Sequence, residues 1–352
     1  MKILKRSTAL IKGKDLTSVP LEVIHGGLGV PSRIKFKGGI EVAGSCIHCP
    51  DTPCMRYTAE DKTSAALAAF PADTTPDVCP TNAMELDERT GVPMISAPSC
   101  ITCGLCVVRC PVSAITLTTK GAVVNDRPNE GFVLSTRAVE KKNTDEIARV
   151  FAKAAVKGTI VERGENFLEA IYEHLTHPPR GISAQFPNLL VRNLMRALGI
   201  SWEMRRHGDT NVRMDAAFHS TSVGTAEVEF SEGATLDSPR SILDSCAVLV
   251  SRHKGKLEEI TPAIVTLSFP NARSEYWRVV KDVQEILGIR IQSLTVGALL
   301  LLVWERHKLK LGGVVSFYAD ADNQSIATGL SATLGRTPED GKGYRGWLKA
   351  AK

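Results

Sequence analysis

Eight of the nine cysteines lie between Cys46 and Cys110, in two runs that each end in Cys-Pro. The second run is Cys100-x2-Cys103-x2-Cys106-x3-Cys110-Pro111. The first is Cys46-x2-Cys49-x4-Cys54, followed after a long gap by Cys79-Pro80. A thiolate is a soft donor, and several at two-residue spacing wrap closely round one metal centre. Three such thiolates take three irons of a cubane cluster, while the fourth reaches the neighbouring cluster. Eight thiolates suffice for two 4Fe–4S clusters. A zinc ribbon built from Cys46/Cys49 and Cys100/Cys103 is the competing reading. It leaves four cysteines and both prolines without a role. A disulfide framework offers no reason for the tight three-cysteine loop.

A second set of chemistry-bearing residues is acidic. Asp215 lies in VRMDAAF, and Glu227 and Glu229 lie in AEVEF. Side chains two apart on a strand point to the same face. With Asp215 opposite them, three carboxylates converge. Like charges so placed repel, and Mg²⁺ or Mn²⁺ is the usual remedy. The plainer alternative is a solvated sheet face. Other polar and aromatic residues read more simply. Cys246, among Ile242, Leu243, Val248 and Leu249, is a buried small hydrophobe. His48 and His219 are loop histidines. Trp277 and Trp304 lie on apolar helical faces and read as core, not as a base-stacking platform. The Gly26-Gly27-Leu28-Gly29 cluster reads as a turn, because Pro31 follows at once and no helix opens there.

The elements that must hold these residues follow from periodicity. Residues 1–45 contain short strand-like pieces such as SRIKFKGGIEVAG, and 46–119 form the cysteine-bearing region. Residues 126–143 read as a polar connector within a segment that also carries a strand or two. From Thr144 the pattern turns helical, with helices expected over 144–156, 164–175 and 187–199. Strands over 210–218 and 224–232 flank a Gly/Ser/Thr-rich stretch suited to a hairpin. Then come a helix over 238–253, a buried strand over 262–269, a helix over 274–287, a strand over 289–294 and a buried helix over 296–308. The last thirty or so residues give no clear element. The expected organisation is a cluster domain over 1–125, the connector, an α/β domain over 144–320 and a tail over 321–352.

The stretches CPTNAM, GVPMI and CITCGLCVVRCPVSAI resemble the bacterial dicluster ferredoxin family. That resemblance implies an α+β ferredoxin-like fold. It assigns Cys46, Cys49, Cys54 and Cys110 to one cluster, and Cys100, Cys103, Cys106 and Cys79 to the other. Gly104 would allow close backbone approach, and Pro80 and Pro111 would turn the chain after the distal cysteines. The chain departs from the family in the four-residue gap between Cys49 and Cys54 and in the insertion over 55–78. Residues 164–300 resemble the PD-(D/E)xK nuclease superfamily, whose core runs helix, Asp strand, acidic strand, helix, strand. That resemblance implies a small mixed central sheet of the restriction-endonuclease kind. Asp215 and Glu227 would be metal ligands, and Glu229 would stand where Lys is usual. Glu169, or Glu165, would be a further acidic residue on the preceding helix. The implied chemistry is Mg²⁺- or Mn²⁺-assisted phosphodiester hydrolysis, with Arg213, Arg252, Lys254 and Lys256 near the phosphate backbone.

The chain has 352 residues, is 43% hydrophobic and 23% charged, and carries a formal net charge of +5. This balance permits an anionic partner without demanding one. The start carries no apolar core of signal-peptide length, and the run Val296–Trp304 is about half of what a bilayer span needs. A cytoplasmic protein without a membrane partner is expected. Three functions compete. One is a DNA-cleaving iron–sulfur protein, in restriction or anti-phage defence. The second is an electron-transfer protein or oxidoreductase subunit with a redox partner or other subunits. The third is an inactive nuclease fold acting as a binding subunit.

Overall fold

The computed structural model describes residues 46, 52–57, 64–110, 114–118, 121–124, 164–209, 212–253, 255–312, 315–340 and 343–352. The strand expected before Cys46, the helix expected over 144–156, the connector over 126–143, and Cys49, His48 and Lys254 lie outside them. The chain divides into two compact units. The first combines Met1–Asp61 with Pro76–Glu162, and the second combines Lys62–Thr75 with Arg163–Lys352.

In the first unit, β1 (Met84–Leu86) pairs antiparallel with β2 (Pro93–Ile95), Met84 opposite Ile95. Asp87 shapes the turn between them by accepting bonds from the Arg89 and Thr90 N–H groups and from the Thr90 hydroxyl. Side-chain acceptors of this kind favour a turn over continued strand. The short helix α1 (Leu105–Arg109) starts from Gly104, whose φ of 73° is left-handed and costs a Cβ-free residue little. A second antiparallel pair joins β3 (Ile115–Thr118) to β4 (Gly121–Val124). Val78, Ile101, Leu105, Val107 and Ile115 form its small apolar interior.

The second unit is built on a five-stranded sheet in the order β5-β6-β7-β8-β9. Its strands are β5 (Ser201–Met204), β6 (Ala216–His219), β7 (Val223–Glu229), β8 (Thr261–Thr266) and β9 (Gln292–Thr295). The first three are antiparallel and the last three parallel. Every residue of β8 is buried, as a parallel strand covered on both faces requires. On the β5–β6 pair, Trp202 and Phe218 stand opposite each other and stack at 5.2 Å. Helices α2 (Glu165–Thr176) and α3 (Phe186–Ala197) precede the sheet, α4 (Glu232–His253) joins β7 to β8, and α5 (Glu275–Leu287) joins β8 to β9. Helix α6 (Val296–Trp304) follows β9 directly and is buried throughout.

Most expected elements fall within a few residues of their observed bounds, and four features differ. Strand β5 was not expected. Helix α4 begins at Glu232 rather than 238, because Pro239 sits inside the helix instead of opening it. The stretch expected to be a tail carries α7 (Ala327–Leu334), and its Tyr344 and Trp347 are fully buried. Residues 62–75, placed by spacing in the cysteine-bearing domain, belong to the second unit.

Candidate functional site

The cysteines gather into two groups. Cys79, Cys100, Cys103 and Cys106 line one cavity, walled otherwise by Thr81 and by apolar residues such as Ile95 and Leu105. The loop that carries three of them is set by Gly104 and by the buried, left-handed Thr102, φ 59°. Burial pushes the Cys103 and Cys106 thiols well above their ordinary value, and the other thiols of the cavity push them further. Burial pushes Cys54 up to about 12, and Cys110 and then Cys46 add to it. Cys46, Cys54 and Cys110 therefore form the second group; Cys49 lies outside the described residues. Cys54 acts on Cys106 as well, more weakly than Cys103, Cys79 and Cys100 do.

Two backbone donors point at sulfur. The Ala83 N–H lies 3.1 Å from Cys79 Sγ, and the Ala114 N–H lies 3.2 Å from Cys110 Sγ. Both donors favour thiolate over thiol. Clustered cysteines with N–H donors at sulfur are well placed as metal ligands, and a bound metal displaces the protons that burial otherwise holds on them. The described residues fit iron–sulfur clusters in this respect. They fit the zinc ribbon less well, because Cys46 groups with Cys54 and Cys110 instead of with Cys100 and Cys103.

Arg109, which spacing did not single out, braces this region. Its Nε donates to the Pro53 carbonyl at 2.8 Å and its Nη2 to the Arg56 carbonyl at 3.3 Å. Its guanidinium lies 4.3 Å from the Tyr57 ring centroid. It adjoins Cys110, so a helix-end cation beside the last cysteine of a run was the available signal.

In the second unit, Asp215, Glu227 and Glu229 come together, with one oxygen from each within 4.8 Å of the others. The hairpin register explains it. Ala216 pairs with Ala226, so Asp215 stands one step beyond, beside Glu227. Asp215 Oδ2 accepts the Val228 N–H at 3.0 Å, and Ser245 Oγ on α4 donates to Glu227 Oε1 at 2.6 Å. Arg205 Nη2 lies 3.6 Å from Asp215 Oδ1. Burial pushes Glu227 up to about 8, aided by the Asp215 charge and opposed by the Ser245 bond. Burial and Asp215 push Glu229 up to about 7. Asp215 is also raised by burial, against the Val228 bond and the Arg205 charge. Three carboxylates of this kind suit a hard divalent cation with oxygen ligands.

The other acidic candidates are elsewhere. Glu169 is exposed on α2, packed against Gly343, and does not join the cluster. Glu165 is held by Arg336 at 2.7 Å, and Arg336 also bonds Glu305 at 2.5 Å. Glu165 is therefore part of a structural ion network. Arg213 pairs with Asp244 at 3.0 Å and Lys256 with Glu259 at 2.8 Å. Cys246, Trp277 and Trp304 are buried, and His219 is half-buried at the end of β6. Sequence reasoning missed Arg205 and Ser245. Arg205 follows the unread strand β5, and helical period alone does not tell which α4 serine faces the sheet.

Comparison with known proteins finds two relatives. The chain is 32% identical over 104 residues to the polyferredoxin-like subunit of an aliphatic sulfonate oxidoreductase from Pyrococcus furiosus, covering 28% of this chain and 48% of that one. It is 28% identical over 92 residues to an uncharacterized ferredoxin of Methanocaldococcus jannaschii, covering 26% of this chain and 42% of that one. The chain thus spans about half or less of the length of the curated relatives it matches. No family model matches, and no solved structure matches. No described helix is long and apolar enough to cross a membrane. The chain carries a ferredoxin-like region.

Proposed function

We propose that this protein is an iron–sulfur electron carrier that binds two 4Fe–4S clusters and hands electrons to a partner protein or subunit. The carrying observation is the grouping of Cys79, Cys100, Cys103 and Cys106 round one cavity, beside Cys46, Cys54 and Cys110. The names of the two relatives, a polyferredoxin-like subunit and a ferredoxin, support the same reading. When bound, such clusters accept and release single electrons. The chain's own residues supply the thiolates, aim the Ala83 and Ala114 N–H groups at sulfur, and exclude water with Ile101 and Leu105. Hydrogen bonds and burial of this kind tune the potential of an electron site. The test is anaerobic purification with iron and sulfide counted, followed by reduction with dithionite under electron paramagnetic resonance. About eight irons per chain and a reversible signal are expected for two cubanes. Zinc in place of iron would overturn the proposal.

A second reading rests on the carboxylate corner. Asp215, Glu227 and Glu229 fit a Mg²⁺ or Mn²⁺ ion at the hairpin of a mixed sheet, where PD-(D/E)xK nucleases carry theirs. A metal so held polarises a phosphodiester and acidifies water. Asp215 and Glu227 would fix it, and Glu229 would complete the shell or take a proton. The names of the relatives lend this reading no support. Its test is Mn²⁺ titration and a cleavage assay on DNA, with Asp215→Asn as the control. Loss of Mn²⁺ binding together with cleavage supports it, and the absence of any cleavage by the parent chain removes it.

A further inference from the structure

The chain leaves the first unit between two cysteines, Cys54 and Cys79, and packs residues 62–75 into the second. The base of this excursion is closed beside both cysteines. The Tyr57 N–H donates to the Pro76 carbonyl at 2.7 Å, the Val78 N–H donates to the Met55 carbonyl at 2.8 Å, and Arg56 faces Asp77 in an antiparallel bridge. Arg109, next to Cys110, grips the same strand through the Pro53 and Arg56 carbonyls.

The tip is seated on the open edge of the five-stranded sheet. Ala72 bridges Arg205 antiparallel, the Asp73 N–H donates to the Met204 carbonyl at 2.9 Å, and Arg206 Nε donates to the Ala72 carbonyl at 3.0 Å. A segment of the chain thus covers the edge of β5 as an added strand would. Leu67, in a short 3-10 turn (Ala65–Leu67), is buried against Met214, Ala217, Val248 and Leu249, with Phe70 alongside. Asp73 also answers a buried charge. Burial raises its carboxyl, but bonds from Thr75 and the charge of the fully buried Arg192 hold it below the ordinary range. The seat reaches the carboxylate corner in one step. Arg205, which Ala72 faces, donates its N–H to the Asp215 carbonyl at 3.0 Å and places its guanidinium 3.6 Å from Asp215 Oδ1.

Resting on the iron–sulfur reading, we infer that this arm is a tether through which loading of the cysteine site holds Arg205 and the carboxylate corner in place. Metal bound at Cys54 and at Cys79 keeps the base of the arm closed, so that docking the tip orders a shorter loop. Without metal the described base is held by two backbone hydrogen bonds of a short antiparallel pair and by the Arg109 bonds, which is marginal in water. The tip then docks at the added cost of ordering a longer open loop. Linkage makes the effect mutual: a docked tip also favours retention of iron.

The test is hydrogen exchange on the full chain, anaerobically loaded and then stripped with a chelator, with iron counted at each stage. Peptides covering 64–75 and 201–206 should exchange about tenfold faster after stripping, within the usual range of coupling between sites. Peptides of α5 should stay unchanged. In the reverse direction Leu67→Asp, which keeps every cysteine, should surrender iron to a chelator severalfold faster than the parent. A chain that loads and releases iron with no change over 64–75 and 201–206 overturns the tether alone. A chain that takes up no iron overturns the iron–sulfur reading and the tether with it.

Discussion

Glu227 is 6% exposed and shares its surroundings with two other carboxylates. Its pKa is raised from 4.5 to about 8, so the folded protein holds this proton more tightly than the unfolded chain does. The contribution to stability is full below about pH 4.5 and is lost as pH rises through about 8. Without divalent metal, the second unit should lose stability over that window, and on the metal-site reading Mn²⁺ should restore it. Glu227→Gln keeps the Ser245 bond and removes the charge. It should flatten the slope and stabilise the metal-free protein at pH 8 by about 2 kcal/mol, read from urea midpoints in the two buffers. In the first unit, Gly104→Ala places a Cβ at φ 73°. It should cost about 1 kcal/mol and lower the iron content of purified protein, checked by iron assay and thermal melting. That the cysteines and the hairpin carboxylates gather was legible because their spacing is regular: cysteines with two residues between them, glutamates on one strand face. Arg109, Arg205 and Ser245 were not, since each reaches its place through tertiary packing that no local period encodes.

The strand that carries Glu227 depends on how closely its first residues approach their neighbours. A Cβ on Gly224 would stand 2.2 Å from Phe218 Cζ and 2.3 Å from the Thr261 carbonyl oxygen. Backbone cannot move aside as a flexible side chain can. Gly224→Ala should therefore lower the unfolding free energy by about 2 kcal/mol or more and, on the metal-site reading, should weaken Mn²⁺ binding by shifting the hairpin. Calorimetry with and without Mn²⁺ checks both. Helices α2, α3 and α5 were readable because each has one apolar stripe, and β8 because it is a short unbroken apolar run between polar stretches. Strand β5 is only four residues, SWEM, with alternation too brief to register. Helix α7, ATGLSATL, is small, uncharged and poorly patterned. Only its packing, with Leu330 fully buried, makes it an element.

All four tryptophans of the chain, Trp202, Trp277, Trp304 and Trp347, are buried in the second unit, whereas eight of the nine cysteines are in the first. Indole emission and the visible absorption of iron–sulfide therefore report separate halves. Stripping iron should abolish the visible absorption and leave indole emission at its buried, blue wavelength until the second unit melts, since faster exchange over 201–206 needs only local backbone opening and leaves Trp202 stacked on Phe218. The physical reason is unequal interiors. The described first-unit strands are three or four residues long, and a small core of this kind commonly needs metal to persist. The second unit instead has a full sheet clothed by helices. A visible trace that survives chelation, or a red shift that accompanies it, would contradict this division of labour. The change of pattern at Thr144 pointed to a second domain, and the structure begins the long stretch of its second unit at Arg163. The excursion of 62–75 was not legible, because an insertion between ligands gives no sign of which unit buries its Leu67.

The path of that excursion bears on how such a gene can be cut or recombined. Severing it at the polar connector would amputate fourteen residues from the half they complete, since Lys62–Thr75 are encoded upstream with the cysteines. A fragment begun at Arg163 would display Met214, Ala217 and Leu249 to water beside a bare β5 edge, a surface prone to aggregate. The two units alternate along the sequence, so shuffling either one into a new fusion requires grafting the intervening segment along with it.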